Sequence, residues 1–189
     1  VAPSRGLGDV YKRQVRYWSA WPVAGEAPAG VERAGTPEAA DFALTLTPEG
    51  GALHLVPPIG VLGVGCRRGT TAERLEEAFS AFCASSGLSP AAVSAAASID
   101  LKKEEPGLAQ FCEAHGWPIT FYSADQLRAV PGQFTPSAFV AGVTGVDNVC
   151  ERAAAKASGG ALLLPKTAGG GVTLALAVRP FAPDWRTEQ

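Results

Sequence analysis

A thiol and two guanidinium groups stand together in Gly65-Cys66-Arg67-Arg68-Gly69-Thr70. A guanidinium presents a planar fork of donors that matches a carboxylate bidentately, so Arg67 and Arg68 are candidate anion ligands. Gly65 and Gly69 put no side chain between the backbone and a ligand. Thr70 and Thr71 are candidate helix caps. The N–H groups of residues 68–71 therefore open onto a helix N-terminus, where the dipole favours a carboxylate or a developing oxyanion. Cys66 is a candidate nucleophile, because the same surroundings lower a thiol pKa; the competing reading is a packed, inert thiol. Neither histidine offers it a base by sequence: His54 precedes Pro57-Pro58, and His115 ends a helical run before Gly116.

A second cluster follows at residues 100–106, DLKKEEP. Asp100 and Glu105 are the candidate general bases. Asp100 ends an expected strand, which fixes its position, whereas Glu105 has the alternative task of capping the helix that Pro106 begins. Lys102 either holds a substrate carboxylate or pairs with Glu105. Lys166, after LLLP and before Gly169-Gly170-Gly171, is expected at a strand end, as a ligand for a carboxylate or as a solvated hairpin lysine.

The elements that carry these residues are legible from about residue 57. IGVLGVG reads as a buried strand, and TAERLEEAFSAFCA as a helix with Leu75, Ala78, Phe79 and Phe82 on one face, stopped at Gly87. SAAASID is a strand, GLAQFCEAHG a helix, ITFYS a strand and SADQLRAV a helix. FTPSAFVAGVTG reads as a cap and short helix, and VDNVCERAAAKAS as a further helix. ALLLPK and VTLALAVRP form a hairpin across the glycine triplet. The order implies an α/β fold, a three-layer α/β/α sandwich with a mixed, mainly parallel sheet and an antiparallel C-terminal hairpin. Ligands of open α/β sheets bind beyond the C-terminal ends of strands, where both GCRRGT and DLKKEEP fall.

Composition limits the alternatives. The chain has 189 residues, 47% of them hydrophobic, and a net charge of −2, with a mean hydropathy of +0.10. It can bury a core, and it lacks the bulk positive charge of a nucleic-acid binder. No apolar run reaches the roughly 20 residues of a membrane span. Four scattered cysteines without zinc spacing read as free thiols of a cytoplasmic protein. The polar opening VAPSRGLGDVYKRQ, without a methionine, reads as a non-native tail over residues 1–14. Residues 15–56, with the strands VRYWSAWP, DFALTLT and ALHLV, are too few for a core of their own and read as the remnant of an upstream domain. Residues 57–180 form the α/β domain, and 181–189 a tail.

In order, GVGCRRGT, SIDLKKEEPGL, FYSADQL, FTPSAFV, GVDNVCERAA and LLLPKTAGGGVTLALA resemble the C-terminal domain of the cobalamin biosynthesis protein CbiG. VRYWSAWP, DFALTLT and LHLVPP resemble the end of that family's central domain. The resemblance implies cobalt-precorrin-5A hydrolase activity, which opens a corrinoid δ-lactone and releases acetaldehyde. The implied partners are a tetrapyrrole substrate and the missing N-terminal and central domains, with no nucleic acid and no membrane. The implied cofactor is none, since cobalt arrives inside the substrate. The alternative is a non-catalytic corrinoid- or precorrin-binding domain resembling CobE, a stand-alone relative.

Overall fold

The computed structural model describes residues 14–135 and 148–186. The expected cap and short helix of FTPSAFVAGVTG lie, apart from Phe134 and Thr135, outside the described residues. So does nearly all of the expected N-terminal tail.

The chain divides into two compact units. The first takes in residues up to 45, residues 49–55 and the C-terminal residues from 182. It holds four short parallel strands, β1 (Val15–Ser19), β2 (Val31–Arg33), β3 (Phe42–Leu44) and β4 (Leu53–Leu55), in the order β2-β1-β3-β4. DFALTLT alternates over seven residues, but only three of them pair. Trp185 meets Tyr17 edge-on, with ring centroids 4.9 Å apart. The end of the chain thus returns to its first strand, and Ala24 and Asp184 form a bridge there.

The second unit, residues 46–48 and 56–181, carries the candidate site. Its sheet has the order β7-β6-β5-β9-β8, built from β5 (Gly60–Cys66), β6 (Val93–Ile99), β7 (Ile119–Tyr122), β8 (Ala161–Gly169) and β9 (Val172–Val178). β5, β6 and β7 are parallel, and β9 runs antiparallel to both β5 and β8. The mixed sheet with an antiparallel hairpin is the expected one. Lys166 is placed differently from expectation, since β8 continues through Pro165 to Gly169. β8 is an edge strand with irregular register between Leu164 and Thr167, and an edge tolerates a proline that the middle of a sheet does not.

Helices cover both faces. α1 (Ala72–Ser86) starts where the Thr71 hydroxyl accepts the Arg74 N–H and stops at Gly87, φ 69°. It buries Leu75, Phe79, Phe82 and Cys83. α2 (Pro106–His115) lies against α1, where Phe79, Phe111, His115 and Trp117 pack ring to ring. On the other face, α3 (Ala124–Arg128) and α4 (Val149–Ser158) join Leu127, Val149 and Ala153 to Val61, Ala95, Ala97 and Ile99. Pairing of Leu62 with Leu176, Val64 with Leu174 and Cys66 with Val172 puts these side chains on one face of the pleat, and Val61, Gly63 and Gly65 on the other. No helix among the described residues is long and apolar enough to cross a membrane.

The α4 layer depends on one missing side chain. A Cβ on Gly63 would stand 1.8 Å from the Cys150 carbonyl oxygen and 3.0 Å from the Ala154 Cβ. Neither backbone can yield without lifting the helix from the sheet. Gly63→Ala is expected to cost about 3 kcal/mol of unfolding free energy, the upper part of the range for overpacking. Urea denaturation followed by circular dichroism measures it.

Candidate functional site

β5 ends at Cys66 and β6 at Ile99, side by side and parallel, so their following loops leave the same edge of the sheet. The first loop is a turn in which the Arg67 carbonyl accepts the Thr70 N–H at 3.3 Å and the Thr70 hydroxyl at 2.8 Å. Gly69 has φ +74°, which a residue with a side chain rarely adopts. The second loop opens with a 3-10 turn over Asp100–Lys102 and runs into α2. α2 comes close enough that a Cβ on Gly107 would fall 2.1 Å from the Thr70 carbonyl oxygen.

One carboxylate ties the two loops together. Glu105, 8% exposed, accepts the Gly69 N–H at 2.8 Å on Oε2 and the Lys102 ammonium at 3.1 Å on Oε1. Its side chain makes no capping bond to its own helix, although its backbone occupies the N-cap position. Of the two tasks read for Lys102, the structure shows the pairing with Glu105, whereas the expected cap is revised: Glu105 binds the neighbouring turn instead of capping α2. The Gly69 N–H, with smaller help from Lys102 and Arg68, holds the Glu105 carboxyl below the usual carboxylate range against the opposing effect of burial. An ionised carboxylate with both oxygens engaged is a poor proton acceptor. Of the N–H groups of residues 68–71 expected to receive a ligand, that of Gly69 is filled by the protein's own acid.

The other expected residues divide clearly. Arg67, Arg68 and Asp100 are exposed at this edge. Gly65 faces Thr173, whose hydroxyl bonds the Gly65 carbonyl at 3.3 Å; a Cβ there would sit 2.3 Å from that hydroxyl. Its lack of a side chain serves sheet pairing and not ligand approach. Cys66 is half-buried, and burial pushes its thiol above the ordinary value, with the Lys102 charge opposing. The lowered thiol pKa that a helix start beside two arginines suggests does not arise, because Glu105 faces the same thiol and its charge raises the pKa further. Cys83, Cys112 and Cys150 are buried, and burial pushes each to about 11. All four are free. His54 bonds the Glu49 carbonyl, and His115 stacks on Trp117 and reaches Glu76 at 2.6 Å, so neither serves Cys66.

Lys166 belongs to a separate cluster. Its N–H donates to Glu151 Oε1 at 2.6 Å and its ammonium reaches the Thr135 carbonyl at 3.5 Å. Glu151 is fully buried and also receives the N–H and hydroxyl of Thr135. Sequence reasoning missed it. Its place three residues after Asn148 imitates a capping-box acid, and Asn148 does accept the Glu151 N–H at 3.0 Å, but the carboxylate turns inward. No group of three or more His, Cys, Asp or Glu arranged to hold a metal ion occurs among the described residues.

Two outcomes follow from this geometry. Because the folded carboxyl of Glu105 titrates below its unfolded value near 4.5, its contribution to stability is complete above that pH and is lost as pH falls through the folded value. Glu105→Gln is expected to lower stability at pH 7 and to flatten the acid limb of a stability–pH profile, measured by urea midpoints between pH 3 and 7. For Cys66, alkylation by iodoacetamide at pH 7.5 is expected to be slower than that of glutathione, and Cys66→Ser is expected to leave ligand binding unchanged.

Comparison with known proteins places this unit. The family model described as "Cobalamin synthesis G C-terminus" matches residues 60–177. A protein named cobalt-precorrin-5A hydrolase from Priestia megaterium is 36% identical over 134 residues, 70% of this chain. The chain spans only 35% of the length of that relative. Protein CobE from Sinorhizobium sp. is 33% identical over 120 residues, 62% of this chain and 78% of CobE. The crystal structure of CobE, a protein from the cobalamin (vitamin B12) biosynthetic pathway, superposes with a TM-score of 0.58 at 35% identity, covering 65% of this chain and 92% of CobE. With the mixed sheet, both helical layers and the two loops inside the matched region, the chain belongs to the cobalamin synthesis G C-terminus family.

Proposed function

We propose that this chain is the corrinoid-binding end of a cobalt-precorrin-5A hydrolase, acting with the further length of protein that its hydrolase relatives possess. The observation that carries the reading is the exposed guanidinium groups of Arg67 and Arg68, on a turn whose buried acid, Glu105, is already bound internally by Gly69 and Lys102. A corrinoid carries peripheral carboxylates, and two forks on a fixed turn recognise them. Two hydrolase relatives, 36% and 37% identical, support the assignment to that enzyme. Cobalt enters with the substrate, and a cytoplasmic location goes with four free cysteines.

In this reading water attacks the lactone carbonyl, the ring C–O bond breaks, and a carboxylate and an alcohol result. A base takes the proton from water. Deprotonation of the alcohol then expels acetaldehyde as the C–C bond breaks, and its electron pair enters the conjugated macrocycle. Asp100 is the base this unit has to offer, because it is exposed at the end of β6 while Glu105 is engaged. Glu105 and Lys102 act as positioning residues, and Gly69 and Thr70 shape the turn. Cys66 lies behind it.

A second reading, binding without chemistry, is favoured by one fact: this chain covers 92% of the CobE structure, so the shared unit stands alone there. Titration with cobalt-precorrin-5A, with absorbance for binding and a coupled assay for acetaldehyde, separates the two. This chain is expected to bind, and replacement of Arg67 and Arg68 by alanine to weaken binding by about ten-fold or more, the loss of at least one charge-assisted hydrogen bond. Asp100→Asn in the full-length hydrolase is expected to lower turnover by about a hundred-fold. Absence of binding by this chain overturns the reading. Full turnover of Asp100→Asn hands catalysis to the rest of the protein and leaves binding as the role of this unit.

A further inference from the structure

A cleft of about 400 Å³ opens between α1 and the β8–β9 hairpin, beside the Arg67 turn. Its length is apolar: Ala78 and Ala81 line the helix side, Ala168 the strand side, and Phe82, Val172 and Leu174 are buried in its floor. Its end is cationic. A Cβ on Gly170 would lie 1.7 Å from an Arg74 guanidinium nitrogen, and one on Gly171 would lie 2.9 Å from the Arg67 side chain. Both glycines have positive φ, 57° and 84°. The glycine triplet is therefore the surface over which two arginine side chains are laid, and the Arg67 N–H fixes it by donating to the Gly171 carbonyl at 3.0 Å. Glu77 is the one acid in the lining, and Arg74 neutralises it at 2.7 Å.

The cleft thus joins an apolar slot to the Arg74 guanidinium in its lining, with Arg67 lying against Gly171 at the same end. A small anion satisfies only the charged end and leaves the slot unfilled. A neutral apolar ligand adds nothing to Arg67 and leaves Arg74 with Glu77 alone. A ring with acid arms satisfies both, and the volume is within the range of ligand sites but holds only part of a macrocycle. We propose that this cleft seats one edge of a corrinoid ring between α1 and the hairpin, with Arg67 and Arg74 receiving the carboxylate arms of that edge. The proposal rests on the corrinoid-binding reading above and adds the face of the domain on which the ring lies.

Dicyanocobyrinic acid, a stable corrinoid polycarboxylate, and its heptamethyl ester are the probes, titrated by absorbance against the full 189-residue chain. Ala81→Phe and Thr167→Tyr fill the cleft from opposite walls at exposed positions. Each is expected to raise the Kd of the acid about ten-fold or more, with circular dichroism and Tm unchanged. The ester is expected to bind at least about ten-fold more weakly than the acid. If both filling variants bind within about two-fold of the parent while replacement of Arg67 and Arg68 abolishes binding, the cleft is overturned and the corrinoid reading stands. Equal binding of acid and ester overturns the role of the arginines. No binding of the acid by the parent chain overturns both.

Discussion

The bond from the Gly69 N–H to Glu105 organises the candidate site's edge of this domain. It joins the loop after β5 to the loop after β6, two segments 36 residues apart in sequence. A charge-assisted hydrogen bond of this kind contributes about 1.5–3 kcal/mol, whereas an exposed ion pair contributes about 0.2–1 kcal/mol. The near-contact of Gly107 with Thr70 adds steric definition to the same junction. With the turn held from inside, Arg67 and Arg68 are presented at a fixed place, and burial raises the pKa of the Cys66 thiol at the end of β5.

This arrangement separates holding from reacting. The buried acid that is best positioned is also the one least able to accept a proton. Asp100, by contrast, is exposed at the end of β6. In the reading proposed above, Arg67 and Arg68 serve recognition and Asp100 is the acid left for chemistry, and the shared unit accounts for 92% of the CobE structure.

Much of this was legible in the residues. Periodicity and glycine stops located α1, α2 and the strands from β5 onward, and the ordered segments identified the family. What escaped depended on side chains meeting across the fold. Whether Glu105 caps α2 or the GCRRGT turn is decided by how closely α2 approaches that turn, which a glycine at 107 permits but does not announce. Glu151 resembles a capping acid in sequence, and only burial reveals its grip on Thr135 and Lys166. Lys166 was expected at a strand end because proline punctuates strands, and the edge position of β8 removes that rule.

The place of β9 has a consequence for how the domain comes into being. It is the last strand of the unit in sequence, yet it lies between β5, the first, and β8. While the chain is still emerging from the ribosome, β5 and β6 can meet, but β5 keeps one bare, apolar edge until residue 178 is free. The sheet closes only by a pairing that spans more than a hundred residues, and such long-range closure is slow. Newly made chains thus pass through a stage in which an open strand edge is exposed, the condition that invites chaperones or self-association.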